Sequence, residues 1–196
     1  MNNNILRFKE NISNIEDNKS FYIEKLSLKN FRNHKNLNLN LNNSPILIYG
    51  GNGCGKTNVL EAISLLNQGK GLRKANIENF LNQEDLDKIN YKTWGINADF
   101  VGSKGRINIG TGLKKTTSGK TRVAKVNSDY TSLSSLGEIL NISWITPQMC
   151  VLILSSMNEK RRFIDRLTLS IDNLHFNRVY RYEKLFRQRN KILMQS

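Results

Sequence analysis

Gly50-Gly51-Asn52-Gly53-Cys54-Gly55-Lys56-Thr57 fits the pattern G-x-x-x-x-G-K-[ST] at every fixed position. The chemistry it suits is the holding of a nucleoside triphosphate, which packs several negative charges into a small volume. Glycines let the main chain turn tightly enough to aim successive N–H groups at phosphate oxygens. Lys56 would add a point charge near the β- and γ-phosphates. The Thr57 hydroxyl would take one position on Mg²⁺, an ion that keeps mostly water and phosphate oxygen around it. Cys54 stands inside the loop, where a small residue is needed.

Such a loop works only at a strand-to-helix junction, and the flanking residues provide one. Pro45-Ile46-Leu47-Ile48-Tyr49 is a short apolar run that predicts a buried strand. Asn58 to Leu66 carries apolar residues at helical spacing. Upstream, Phe21 to Lys29 and Leu37 to Leu41 alternate as half-buried strands do, with a turn cluster at Asn42-Asn43-Ser44-Pro45. Downstream, Gly69 to Lys74 breaks the helix and Asn76 to Leu81 suits a short helix. Three runs, Tyr91 to Val101, Arg106 to Leu113 and Lys120 to Asn127, are separated by turn signals and predict an antiparallel meander.

Beyond the meander, Thr131 to Leu140 reads as a helix and Ile142 to Thr146 as a short strand that Pro147 stops. Ser156-Met157-Asn158-Glu159 is a capping box that should start a helix. Asp172 to Ser196 places Val179, Tyr182, Phe186 and Leu193 on one helical face, and the chain stops inside that helix with no cap, as if cut short. The organisation expected is therefore a polar flexible tail over 1–20, a nucleotide-binding lobe over 21–146, and the first part of a helical lobe over 147–196.

The 196 residues suffice for one domain with a substantial core, and their net charge of +14 favours phosphate-bearing partners. From Gly102 to Asn127 the charged residues are Lys104, Arg106, Lys114, Lys115, Lys120, Arg122 and Lys125, with no Asp or Glu. That run is either a phosphate-facing surface or a set of edge strands protected by lysine. Two cysteines, Cys54 and Cys150, make no disulfide framework or metal pattern and suit a reducing, cytoplasmic setting. No apolar run approaches the roughly 20 residues that span a bilayer, and residues 1–20 lack the apolar core of a secretory signal. His34 and His175 have no ligand partner at metal spacing, so structural or surface roles are expected. Arg161 and Arg162 sit early in a helix, where the dipole does not favour cations; an external anion, an acidic partner segment or solvent would answer them.

Taken together, these segments resemble the RecF family of bacterial recombination and repair ATPases, within the SMC-like, ABC-type group. The residues that carry the resemblance are Asn30-Phe31-Arg32-Asn33, the glycine loop with Asn52 in third place, Leu60-Glu61-Ala62-Ile63 and Gly69-Lys70-Gly71-Leu72-Arg73. Trp144-Ile145-Thr146-Pro147 and Arg161-Arg162-Phe163-Ile164-Asp165-Arg166 are the most family-specific blocks. The fold implied is α/β: a P-loop, ABC-type ATPase head lobe with an antiparallel β meander, then the start of a helical arm.

The resemblance also implies ATP and Mg²⁺ as ligands, and single-stranded, gapped and double-stranded DNA as partners. It implies an ATP-driven homodimer, recombinase loading with RecO and RecR, and a place in replication, recombination and the response to DNA damage. Members are nearly twice this long. The L-S-x-G signature segment and the acidic strand ending in a catalytic Glu are not found in these 196 residues. Two alternatives therefore stay open: the N-terminal half of another SMC-like or ABC-type head, or a module that binds nucleotide or DNA without hydrolysis. Arg32 could hold phosphate oxygens bidentately or be a surface arginine, and the same choice applies to Arg73. Gln148 falls near where ABC-type heads place a metal-sensing glutamine; it equally suits the first turn of a helix after Pro147.

Overall fold

Alternating leucines and isoleucines dictate a one-sided sheet, and the computed structural model places them so. It describes residues 7–10, 21–82, 93–103, 105–117, 119–150, 156–169, 172 and 174–194. Strands β1 (Arg7–Glu10), β2 (Tyr22–Phe31), β3 (His34–Asn40) and β4 (Ile46–Tyr49) precede helix α1 (Lys56–Ser64). A 3-10 turn at Ile77–Phe80 follows, then β5 (Gly95–Gly102), β6 (Gly105–Thr116), β7 (Gly119–Val126) and β8 (Asp129–Thr131). The helices α2 (Leu133–Ile139), α3 (Pro147–Cys150), α4 (Met157–Leu169) and α5 (His175–Leu193) complete the order.

Six strands form one antiparallel sheet in the order β3-β2-β5-β6-β7-β8. Leu26 and Leu28 of β2, Ile96 and Ala98 of β5, Ile109 of β6 and Ala124 of β7 are buried on one face. Helix α1 packs near β2 and buries Val59 and Ala62, with Leu65 and Leu66 just past its end. Phe31, Phe80 and Trp94 form an aromatic cluster with centroids 5.3–5.7 Å apart, and Trp94 Nε1–H donates to the Ile77 carbonyl at 2.7 Å. This cluster fixes the turn between β2 and β3, which carries Arg32 and Asn33.

The predicted meander is present as β5, β6 and β7, with β8 added beyond it; Tyr91 and Lys92, read as its start, lie outside the described residues. Three expectations differ from the structure. The apolar run before the loop forms β4, but β4 is not buried: Ile46, Leu47 and Tyr49 are all exposed, Leu47 to 54%. Its only pairing among the described residues is with β1, antiparallel, in a separate two-stranded sheet. Arg7–Glu10, inside the segment read as a flexible tail, thus form a strand. Ile142–Thr146 pairs with no strand among the described residues and remains irregular, because a lone extended segment gains no ladder hydrogen bonds.

The chain divides into two compact units, Met1–Leu136 and Gly137–Ser196, a boundary earlier than Thr146-Pro147. In the second unit the capping box is formed: Glu159 N–H donates to Ser156 Oγ at 3.4 Å and Ser156 N–H to Glu159 Oε2 at 3.3 Å. Arg161 is held internally, 3.7 Å from Asp165 and over the Tyr182 ring, and His175 Nε2 lies 2.9 Å from Asp165 Oδ1. Of the apolar face read on α5, Tyr182, Phe186 and Leu193 are exposed, with the rings of Tyr182 and Phe186 stacked on each other. No described helix is long and apolar enough to cross a membrane, which leaves membrane-crossing strands aside.

Candidate nucleotide site

The glycine loop joins β4 to α1, so the last two pattern residues, Lys56 and Thr57, make the first helical turn. A helix start leaves its first amides without intrahelical partners, and the macrodipole makes that end electropositive. Gly50 to Gly53 and Thr57 face solvent, whereas Cys54 is buried beneath the loop, as a small residue there must be. Lys56 Nζ donates to the carbonyls of Gly50 and Gly51, each at 2.8 Å. Both acceptors are neutral, so the ammonium charge is held at the loop without a carboxylate to cancel it.

Gly55 is the N-cap of α1, at φ 96° in the left-handed region. A Cβ there would lie 2.5 Å from His34 Nε2 and 2.6 Å from Asn33 Oδ1. The β2–β3 turn therefore sits directly on the loop. Asn33 Nδ2–H donates to the Gly53 carbonyl at 3.1 Å. His34 Nε2 lies 3.3 Å from the Gly55 carbonyl, an acceptor that sets the proton on Nε2. Asn58 Nδ2–H of α1 donates to Asn33 Oδ1 at 2.8 Å and closes the latch. Gly55→Ala should cost about 1–3 kcal/mol from strain at positive φ and push the turn off the loop. A lowered melting temperature accompanied by weaker ATP binding is the expected readout.

The Arg32 side chain lies against α1. Its Nε and Nη2 donate to the two carboxylate oxygens of Glu61, both at 2.9 Å, and its Nη1 donates to the Asn79 carbonyl at 2.7 Å. The guanidinium also stacks over Phe80, 5.0 Å from the ring centroid. Arg73 reaches the same carboxylate at 3.2 Å and Asn58 Oδ1 at 3.0 Å. Two guanidinium groups thus share one carboxylate, which leaves a net positive charge. This charge lines a polar cavity of about 430 Å³ bounded by Arg32, Asn33, Asn58, Arg73 and Asn79.

The structure brings Gly50–Thr57 together with Arg32 and Arg73 through Asn33, Asn58 and Glu61. Gln148 lies in α3, within the second unit, and its side chain is outside the described residues. Sequence reasoning missed Glu61, Asn33 and His34 as parts of the site. One signal was available for Glu61: it falls on the α1 face shared with Ser64 and Leu65, an acid where burial is expected. No cluster of three or more His, Cys, Asp or Glu occurs among the described residues.

Residues 25–192 match a family described as AAA domain. The chain is 36% identical over 180 residues to the DNA replication and repair protein RecF of Rickettsia prowazekii (strain Madrid E), covering 91% of this chain and 47% of that protein. The RecF of Rickettsia canadensis (strain McKiel) is 36% identical with the same coverage. The chain therefore spans about half the length of the curated relatives it matches. A solved structure described as the recombination mediator protein RecF with ATP, in the RecFOR pathway, superposes with a TM-score of 0.69. It is 28% identical, over 90% of this chain and 47% of that one. A second, with ATPrS, has the same TM-score at 24% identity and covers 90% and 46%. The RecF resemblance read in the sequence stands, and so does the ATPase-head fold.

Proposed function

The chain belongs to the AAA-domain family, and on that premise we propose that it is the ATP-holding part of a RecF-type ATPase of DNA repair, recombination and replication. The observation that carries the reading is the Lys56 ammonium on two neutral carbonyls of a glycine loop that opens a helix. Loop amides and Lys56 would hold the phosphates, with Lys56 exchanging the Gly50 and Gly51 carbonyls for phosphate oxygens. The Thr57 hydroxyl would take one position on Mg²⁺. Arg32 and Arg73, sharing one carboxylate, would present their surplus charge to the nucleotide from the polar cavity wall. ATP would supply a γ-phosphoryl group whose hydrolysis can be coupled to conformational change.

The reading includes single-stranded and double-stranded DNA as partners, an ATP-dependent homodimer, and RecO- and RecR-type proteins. The names of the similar proteins, a DNA replication and repair protein and a mediator in the RecFOR pathway, support it. On this reading the 196 residues bind nucleotide without turning it over, because neither the signature segment nor an acidic strand occurs in them. Turnover by this chain, lost on Lys56→Met, would refute that part.

Titration with a fluorescent ATP analogue tests the core of the proposal. Lys56→Met removes a charge-assisted hydrogen bond of about 1.5–3 kcal/mol and should weaken binding by roughly tenfold to a hundredfold with an unchanged melting temperature. In a full-length protein, ATP-driven dimerisation should be lost in Lys56→Met and in Thr57→Ala. Indifference of the folded wild-type chain to ATP would sink the assignment.

A further inference from the structure

Residues directly opposite one another on paired strands point to the same face of a sheet. The basic stretch of β6 and β7 therefore does not act as a unit. Arg122 faces inward, beside Thr111. Lys120 is paired with Glu78 at 3.1 Å, and Arg106 with Glu24. Two lysines remain. Lys114 and Lys125 place their ammonium groups 4.7 and 4.5 Å from the ring centroid of Tyr130, and neither has an ion-pair partner among the described residues. Tyr130 itself is 60% exposed.

The registers place this cluster at the border of an open floor. One row across the sheet reads Lys29, Gly95, Gly112, Val123; the next reads Ser27, Asn97, Gly110, Lys125, Tyr130. Gly95 and Gly112 face each other and leave the backbone bare. A Cβ on Gly112 would come within 2.7 Å of the Trp94 carbonyl oxygen, whereas one on Gly95 would meet nothing within 4 Å. The floor is accessible at Gly95, and Lys29 stands exposed at its far side. Of the nearby acids, Asp99 accepts a hydrogen bond from Asn108, and Asp129 pairs opposite Val126, out of register with Lys125 and Tyr130.

We propose that this face holds a single strand of nucleic acid, with one base stacked on Tyr130 and phosphates on Lys114 and Lys125. The strand would then cross the glycine floor toward Lys29. Three strand spacings separate β7 from β2, about 14 Å, which is room for more than one nucleotide. An exposed ring flanked by two uncompensated cations matches a planar base between phosphates. Duplex bases are already stacked and offer this ring nothing, so the single strand is the occupant. The inference deepens the proposed function and rests on it for the nature of the polyanion.

The test is anisotropy of labelled oligothymidine against the same backbone without bases. Tyr130→Ala should weaken oligothymidine binding roughly fivefold or more while leaving the abasic strand unaffected. Tyr130→Phe should bind as wild type. Lys114→Gln with Lys125→Gln should flatten the log–log salt slope by about 1.4, near 0.7 for each single-strand phosphate that is no longer neutralised. Equal losses on both strands in Tyr130→Ala, or no loss on either, would overturn the surface while leaving the ATPase reading intact. Equal competition by polyglutamate would point to an acidic protein and also overturn it. A wild-type chain that binds ATP but no oligonucleotide would remove both this surface and the DNA part of the proposed function. Unchanged ATP titration in every variant serves as the control for folding.

Discussion

Glu61→Ala should destabilise the unit that carries the glycine loop by about 2–4 kcal/mol, below the cost of breaking a fully buried ion pair, because the side chains of Arg32 and Arg73 are 21% and 42% exposed. Glu61 is 0% exposed and accepts from three guanidinium N–H groups on two arginines. Without it, Arg32 keeps the Asn79 carbonyl and the Phe80 ring but loses its fork onto α1. Arg32 also sits at φ 55°, a left-handed conformation that its Glu61 fork and its N–H bond to the Phe80 carbonyl help to hold. Typical domains are stable by only about 5–15 kcal/mol, so the urea midpoint should fall steeply at unchanged slope. Glu61→Gln should cost less, because an amide still accepts one of the bonds. Glu61→Leu combined with Arg32→Met should recover part of the loss, since the desolvation penalty leaves with the charges. A loss below about 1 kcal/mol in Glu61→Ala would mean that both arginines swing to water at little cost.

The same cluster marks where sequence reading succeeded and where it stopped. The glycine loop was legible because a phosphate cradle constrains residue type at consecutive positions, and the helix after it followed from apolar spacing. The capping box at Ser156 and Glu159 was legible for the same reason, as its partners lie three residues apart. Asn33 and His34 were not. Their partners, Gly53 and Gly55, are about twenty residues away in sequence, and an Asn-His pair in a turn looks like ordinary turn chemistry. The exposure of β4 was also hidden. Apolarity says that Ile46-Leu47-Ile48-Tyr49 would gain from cover, not that the described residues contain it. Strand β1 eluded pattern reading because four residues, Arg7–Glu10, are too few to show alternation.

Arg122→Met tests the other end of the helix that carries the loop. Arg122 alternates with Ala124 and Val126 on the inward side of β7, and its guanidinium donates to the carbonyls of Leu65, Asn67 and Gly69, just past the end of α1. Its Nε also donates to Thr111 Oγ1 at 2.9 Å. The Leu65 carbonyl belongs to the C-cap of α1, where carbonyls lack intrahelical partners and carry the negative end of the dipole; those of Asn67 and Gly69 belong to the turn that follows, and the one cation answers all three. Burial lowers its pKa to about 10, still far above neutrality, so the group stays charged. Methionine keeps the apolar stem and removes every donor. Three carbonyls at roughly 1–3 kcal/mol each would suggest a larger loss, but two terms offset it. The neighbouring cavity of about 580 Å³ admits water to some of them, and the cost of burying a cation disappears. The expected net loss is about 2–4 kcal/mol. The pH dependence separates the terms. Because the folded value lies below the ordinary arginine value, the unfolded chain binds more protons above about pH 10, and wild-type stability gains from this group as pH rises there. Arg122→Met should lack that gain. Nine residues of α1 span about 13 Å, and Glu61 anchors the helix between its ends. ATP affinity should therefore fall less than stability does. An equal fall in both would mean that the loop depends on the C-terminal anchor of α1 as much as on the latch at Gly55.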